Sequence, residues 1–137
     1  MKILTYNIRN WRDDPWSVWE RRRTQMVDQF QALNPDIILL QEVCQAIKDP
    51  NPENSMILWL SQQMPDYIYV QYANNGMTYK NGNFGGREET EGLAILSKIK
   101  APSYKTIPLG PTVKGDGNPR ICLAVYFEQF HLYNCHL

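Results

Sequence analysis

The sequence predicts an α+β fold in which strands and helices pack in layers. Three observations carry that expectation. One long segment has its apolar residues at helical spacing, two continuous apolar runs suit strands buried on both faces, and the chain closes on a hairpin pattern. The resulting order, β-α-β-α-β-β-β-β, mixes strands with helices that cover an outer face, as a layered sandwich requires.

The elements follow in order. Lys2 to Tyr6 is a short β-rich run, and the polar stretch Asn10 to Pro15 reads as a loop. From Val18 to Leu33, Trp19, Met26, Val27, Phe30 and Leu33 recur at helical spacing, with Arg21, Arg22, Arg23 and Asp28 on the other faces. Asn34-Pro35 ends that helix, because a residue before proline resists the helical region. DIILLQEV (36–43) reads as a buried strand, and Lys48 to Asn54 as a loop. Ser55 caps a second helix that runs to about Met64, and YIYVQY (67–72) has the aromatic and β-branched content of a strand. Ala73 to Thr90 reads as a long irregular loop, rich in glycine and asparagine. GLAILSK (92–98) is a second buried strand, and residues 104–107 form a short one before a Gly/Pro turn region that runs through Pro119. ICLAVYF (121–127) and FHLYNCHL (130–137) close the chain as an antiparallel hairpin.

Composition narrows the function classes. The 137 residues are 43% hydrophobic, which is enough for one ordinary core and excludes a disordered or collagen-like chain. Fourteen basic residues balance fourteen acidic ones, so a strongly basic nucleic-acid coat is excluded, although a local basic patch is not. No apolar run approaches the roughly 18–20 residues that span a bilayer. MKILTYNIRNW turns polar too early for a signal peptide, so a cytoplasmic location is expected. Cys44, Cys122 and Cys135 are odd in number and lack C-x-x-C spacing, which reads as small buried thiols in a reducing compartment. The chain also stops at Leu137 inside an apparent core strand. That suggests a piece of a larger domain, since two-sheet folds often need about 200–250 residues.

Polar residues at or beyond the ends of apolar strands are the candidates for chemistry, because such groups converge at the rim of a sheet. They are Asn7, Glu42, Glu91 with Arg87 upstream, and His136. Two carboxylates, an amide and an imidazole make up the inventory of a metal-assisted phosphoryl hydrolase. A glutamate directly after IILLQ is costly unless a cation meets it; a metal is one reading, and pairing with an arginine or capping a loop is the other. Mg²⁺ needs only one or two such carboxylates, with waters and substrate phosphate for the rest. His136 exchanges protons near neutral pH, and Glu91 is its candidate partner; the alternative is a core histidine bonded to backbone. Arg9 and Arg120 can grip phosphate oxygens, although surface solvation is the default for an arginine. His131 reads as structural, Arg21 to Arg23 as a solvated face, and Trp11, Trp16, Trp19 and Trp59 as packing residues before base-stacking platforms.

Together these segments resemble the endonuclease/exonuclease/phosphatase superfamily, the DNase I-like fold, over the whole chain and in the family's order. KILTYNIR looks like the opening strand that ends in its asparagine, and PDIILLQEV like the signature that carries the metal-binding glutamate at Glu42. EGLAILSK resembles the motif in which Glu91 takes the place of the acidic partner of the catalytic histidine. Arg120 through LAVYF, and then YNCHL, resemble the strand pair that ends in that histidine, with Cys135 where the family usually has threonine.

The resemblance implies the N-terminal half of a DNase I-like four-layer sandwich, mostly one mixed or antiparallel sheet with covering helices. Residues 1–137 would then be the front part of a single, apparently truncated domain. Asn7 and Glu42 would hold Mg²⁺ (or Mn²⁺) or orient the phosphate. His136, supported by Glu91, would stabilise or protonate the phosphoryl group, with Arg9 and Arg120 as phosphate contacts. The implied substrate is a phosphate ester: nucleic acid, a phospholipid head group or a small phosphodiester. The family's later G-D-x-N and S-D-H motifs do not follow His136, and GDGN at 115–118 precedes it and reads as a turn. Catalysis by these residues alone is therefore expected to be incomplete. The alternative is a non-catalytic half-domain that binds or self-associates through the open edge of its final hairpin.

Overall fold

A computed structural model of the chain describes residues 1–12, 15–49, 51–81, 87–110 and 117–137. The elements are β1 (Ile3–Asn7), α1 (Trp16–Leu33), β2 (Ile37–Ala46), a 3-10 turn (Pro52–Asn54), α2 (Met56–Gln63), β3 (Tyr69–Asn74), β4 (Tyr79–Asn81), β5 (Arg87–Ser97), β6 (Ser103–Leu109), β7 (Arg120–Tyr126) and β8 (His131–Cys135). Both helix boundaries have local causes. Asn34 adopts a left-handed conformation that lets its N–H return to the Phe30 carbonyl, and Pro35 prevents continuation. The Ser55 side chain accepts the Leu58 N–H at 3.3 Å and so starts α2.

Two sheets form. The larger runs β1-β2-β5-β3, with β4 also on β5; β1 and β2 are parallel and the other pairs antiparallel. The smaller is the antiparallel β6-β7-β8 meander. Five of the eight strands among the described residues thus lie in one sheet, as expected, and one face of that sheet is covered by the second. The alternation of Ile121, Leu123 and Val125 on β7 is the reason. It gives the second sheet an apolar face that buries Ile37, Leu93 and Ile95 of the first. On the opposite face Ile38, Leu40, Val43, Ala94 and Leu96 pack against Trp19, Met26 and Phe30 of α1 and Met56, Ile57 and Leu60 of α2. The described layers are therefore helices, mixed sheet, antiparallel sheet.

Within the stretch expected as a loop, Ala73 to Thr90, residues 82–86 lie outside the described set, and the described residues are largely in strands. They include the end of β3, all of β4 and the start of β5, with Tyr79 opposite Glu89 and Lys80 opposite Glu88. Burial of Glu89, whose carboxylate accepts the Trp11 indole N–H at 2.8 Å, anchors this extension. Trp11, Trp19 and Trp59 form an edge-to-face series inside the helical core, which removes them as base-stacking platforms. The side chain of Trp16 lies outside the described set, as do residues 115–116 of the turn expected at 115–118. Arg22 and Arg23 are tied down rather than solvated: Arg22 donates to the Arg9 carbonyl, and Arg23 pairs with Glu53 over the Trp59 ring. The cysteines are free, and Cys135 is exposed rather than buried.

Candidate active site

The local geometry of Glu42 comes from a defect in β2. Leu40 pairs with Ala94 and Val43 with Gly92, so Gln41 and Glu42 together oppose Leu93. This is a β-bulge, and Glu42 takes the left-handed backbone with φ of 57°. Strict alternation from Ile38 and Leu40 would send residue 42 into the helical core. The bulge gives that place to Val43, wholly buried there, and leaves Glu42 at the rim. A non-glycine residue in this conformation costs of order 1–3 kcal/mol and persists only where its surroundings enforce it.

Those surroundings are hydrogen bonds. Asn7 Nδ2, at the end of β1, donates to Glu42 Oε1 at 2.8 Å. The backbone N–H of Asn10 donates to Oε2 at 3.0 Å, and its Nδ2 reaches the same oxygen at 3.3 Å. Asn7 is itself oriented, because its Oδ1 accepts the Arg9 N–H at 2.8 Å. His136 Nε2 stands 3.8 Å from Glu42 Oε1. Burial alone would raise the Glu42 pKa, but the Asn7 bond, the Asn10 N–H, the His136 charge and the Asn10 side chain together bring it below the usual value. Glu42 is thus held as a carboxylate.

Glu91 occupies the other side of the rim. It pairs with Arg12, and the Arg12 guanidinium lies 3.8 Å over the Tyr79 ring. The sequence reading assigned Glu91 to His136; in the structure Glu91 pairs with Arg12, and His136 stands beside Glu42. Burial would lower the Arg12 pKa, but the charges of Cys44, Glu91 and Tyr79, with a Tyr79 hydrogen bond, hold it above the usual value. Arg12 stays cationic.

These groups line one open cleft of about 170 Å³ where the two sheets meet, with Asn75, Gly92, Asn118 and Arg120 on its walls. Glu42, Glu91, Arg120 and His136 of the sequence-selected residues therefore come together. Asn7 meets the cleft through its bond to Glu42, and Arg9 is an exposed turn residue whose backbone orients Asn7. Arg12, Asn10 and Tyr79 were not singled out from sequence. The available signal was that residues 8–12 follow a parallel strand at the end where Glu42 also emerges.

A buried amide pair fixes how the two sheets meet. Gln41 Nε2 donates to Asn134 Oδ1 at 2.8 Å, and Asn134 Nδ2 donates to the carbonyls of Leu40 and Ala94 at 2.8 and 3.1 Å. Gln41 and Asn134 each lie within two residues of a cleft residue, Glu42 and His136, so these bonds fix the distance between them.

The donor chemistry fits a sparsely ligated hard cation. A carboxylate offers about four lone-pair sites. Three are taken on Glu42, one at Oε1 and two at Oε2, which leaves capacity on the Oε1 side that faces His136. Among the described residues no group of three His, Cys, Asp or Glu comes together, so a closed zinc-type cage does not fit. Mg²⁺ or Mn²⁺ needs only one or two carboxylates and keeps waters, and Glu42 is the residue that could hold one.

The chain belongs to the Endonuclease/Exonuclease/phosphatase family, whose model matches residues 4–134. Solved structures share the DNase I-like fold. A family protein from Leptotrichia buccalis C-1013-b superposes with a TM-score of 0.68 at 19% identity, over 100% of this chain and 53% of that one. A mannosyl-6-phosphatase from Bacteroides thetaiotaomicron VPI-5482 gives 0.65 at 13% identity, over 100% and 51%. A family protein from Beutenbergia cavernae DSM 12333 gives 0.64 at 16%, over 84% and 32%. The chain thus spans about half the length of these structures or less. Comparison with curated proteins returns no match. Among the described residues, no helix is long and apolar enough to cross a membrane.

Proposed function

We propose that this chain carries the metal-holding and phosphate-polarising part of a Mg²⁺-dependent phosphoesterase. The observation that supports this most directly is Glu42, a carboxylate on a strained bulge, gripped from behind by Asn7 and Asn10 and facing His136 at 3.8 Å. Glu42 would hold Mg²⁺ or Mn²⁺, which when bound supplies positive charge to phosphate oxygens and makes water more acidic. Asn7 and Asn10 keep the carboxylate aimed and ionised. His136, beside Glu42, would donate a hydrogen bond or a proton from Nε2 to a phosphoryl oxygen. Arg120 and Arg12 bring cationic charge to the same cleft, where a phosphate needs it. Glu91 holds Arg12 in place.

The substrate is a phosphate ester. Nucleic acid, a phospholipid head group and a small phosphodiester share the required group, and the mannosyl-6-phosphatase neighbour extends the range to sugar phosphates. The balanced charge of the chain argues against a duplex-coating mode, which needs clustered basic residues.

The test is hydrolysis of bis(p-nitrophenyl) phosphate with and without Mg²⁺ by the full-length gene product. Glu42→Gln and His136→Ala are each expected to remove most metal-dependent turnover, by about 10²-fold or more. Wild-type rates in both variants would overturn the assignment. A second reading, an assembly module, is favoured by β8, which pairs only with β7 among the described strands. It predicts a stable oligomer without metal dependence, and a monodisperse monomer in light scattering would eliminate it.

A further inference from the structure

The second and third cysteines face each other across the last rung of the β7–β8 ladder, Cys122 opposite Cys135. The kind of rung follows from the hairpin. The Phe127 N–H donates to the Phe130 carbonyl at 2.9 Å, so Phe127 and Phe130 are a hydrogen-bonded pair. Antiparallel rungs alternate between hydrogen-bonded and non-hydrogen-bonded pairs. The odd number of steps from Phe127 to Cys122, with no register shift, makes Cys122 and Cys135 a non-hydrogen-bonded pair. In such pairs the Cβ atoms come to about 4.5 Å, at the edge of the roughly 3.5–4.5 Å that a disulfide spans. The thiols lie on the outer face of the small sheet, because their neighbours Leu123 and Asn134 point inward to the other sheet. Cys135 is exposed and Cys122 is buried behind it.

We propose that Cys122 and Cys135 form a reversible cross-strand disulfide, with a low-molecular-weight disulfide such as oxidised glutathione as the oxidant. This inference is independent of the phosphoesterase reading. The Cys135 thiolate, after losing its proton to water, attacks one sulfur of the oxidant; a protein–glutathione bond forms and one glutathione thiolate leaves. Cys122 sulfur then attacks Cys135 sulfur, gives up its proton, and releases the second glutathione. Two protein thiols are oxidised and one small disulfide is reduced to two thiols. Burial, followed by the influence of the neighbouring Cys135, pushes the Cys122 thiol up to about 11, so exposed Cys135 is the point of entry. The new bond would add a covalent rung immediately before His136, the residue that faces Glu42. Cys44, fully buried in the helical core, serves as an internal control.

The experiment equilibrates the full chain in glutathione buffers of graded oxidised-to-reduced ratio, quenches with an alkylating reagent and reads the mass. Two of the three thiols should be lost together in one step, with the mass of two hydrogens and a linked peptide containing residues 122 and 135. Cys44 should alkylate fully once the chain is unfolded. Cys122→Ser should stop at a glutathione adduct on Cys135, and Cys135→Ser should leave Cys122 reduced throughout. If wild-type protein yields only the glutathione adduct or Cys135-linked dimers, with Cys122 still reduced, the proposal is wrong. Retention of all three thiols in the most oxidising buffer would overturn it equally.

Discussion

The Asn7 amide nitrogen donates to Glu42 Oε1 at 2.8 Å, and through this bond the end of β1 fixes a carboxylate on the neighbouring strand. Asn7 is the largest of the influences that lower the Glu42 pKa. Asn7→Ala should therefore move the Glu42 titration upward, toward the ordinary glutamate value, in an NMR pH series of the side-chain carboxyl. The stability cost should be modest, about 1 kcal/mol for one hydrogen bond at an exposed amide. An unchanged Glu42 titration would mean that Asn10 alone holds the carboxylate.

Arg12 and Glu91 are separated by 79 positions in sequence, yet their charges meet with less than a fifth of either side chain exposed. Removing either partner takes the counter-charge away from a largely buried charge. A double-mutant cycle of Arg12→Ala and Glu91→Ala in urea unfolding should give a coupling energy of about 1–3 kcal/mol, so the double variant should be less damaged than the two single losses added. Arg12→Lys should not restore it. A point-charge ammonium reproduces neither the planar contact with Tyr79 nor the guanidinium geometry. Additive losses would show the pair to be incidental.

These two relationships also mark where reading the sequence succeeds and where it stops. Helix α1, strand β2 and the β7–β8 hairpin were legible because their signals are local: periodicity, the Asn34-Pro35 stop, and alternation around a turn. His136 was legible as a polar residue just past an apolar strand; Glu42 was expected to end its strand, but β2 continues through the bulge to Ala46. The bulge at Glu42 was not, because it depends on the register of β2 against β5, a choice made by packing across the sheet. The partner of Glu91 was missed for the same reason: nothing near Arg12 in sequence points to residue 91. Composition misjudged the described parts of 73–90, where Asn and Gly suggested a loop while pairing with Glu88 and Glu89 builds β4. Alternation shows which residues share a face but not which sheet a strand joins, so β6–β8 could not be separated from the larger sheet in advance.

Gly92 on β5 lies opposite Asn74 of β3 with no room for a side chain. A Cβ built there would lie 1.9 Å from the Ala73 carbonyl oxygen and 2.7 Å from Asn74 Cα, both backbone atoms that have no rotamer to change. Gly92→Ala must push two strands apart or break their pairing. The expected loss is about 3 kcal/mol in urea unfolding, at the upper end of overpacking costs. Because the same residue lines the cleft with Glu91, the variant should also weaken the Arg12 to Glu91 coupling. A loss well below 1 kcal/mol would show that β3 yields at this point.

Tyr67 provides a pH test away from the cleft. Its hydroxyl donates to the Pro35 carbonyl at 2.6 Å and so ties the end of α1 to the entry of β3. Burial, followed by the charges of Asp36 and Asp66, pushes the phenol up to about 12. An unfolded tyrosine titrates near about 10, so the folded chain holds this proton more tightly. The stabilisation that results is complete below about pH 10 and is lost as pH rises through about 12. Tyr67→Phe should cost about 1 kcal/mol at neutral pH, mainly from the unpaired Pro35 carbonyl. Across the alkaline window the wild-type protein should lose stability faster than the variant, and the gap between them should close. Urea unfolding at a series of pH values measures that gap directly, and a constant difference from neutral to about pH 12 would show that the phenol titrates alike in both states.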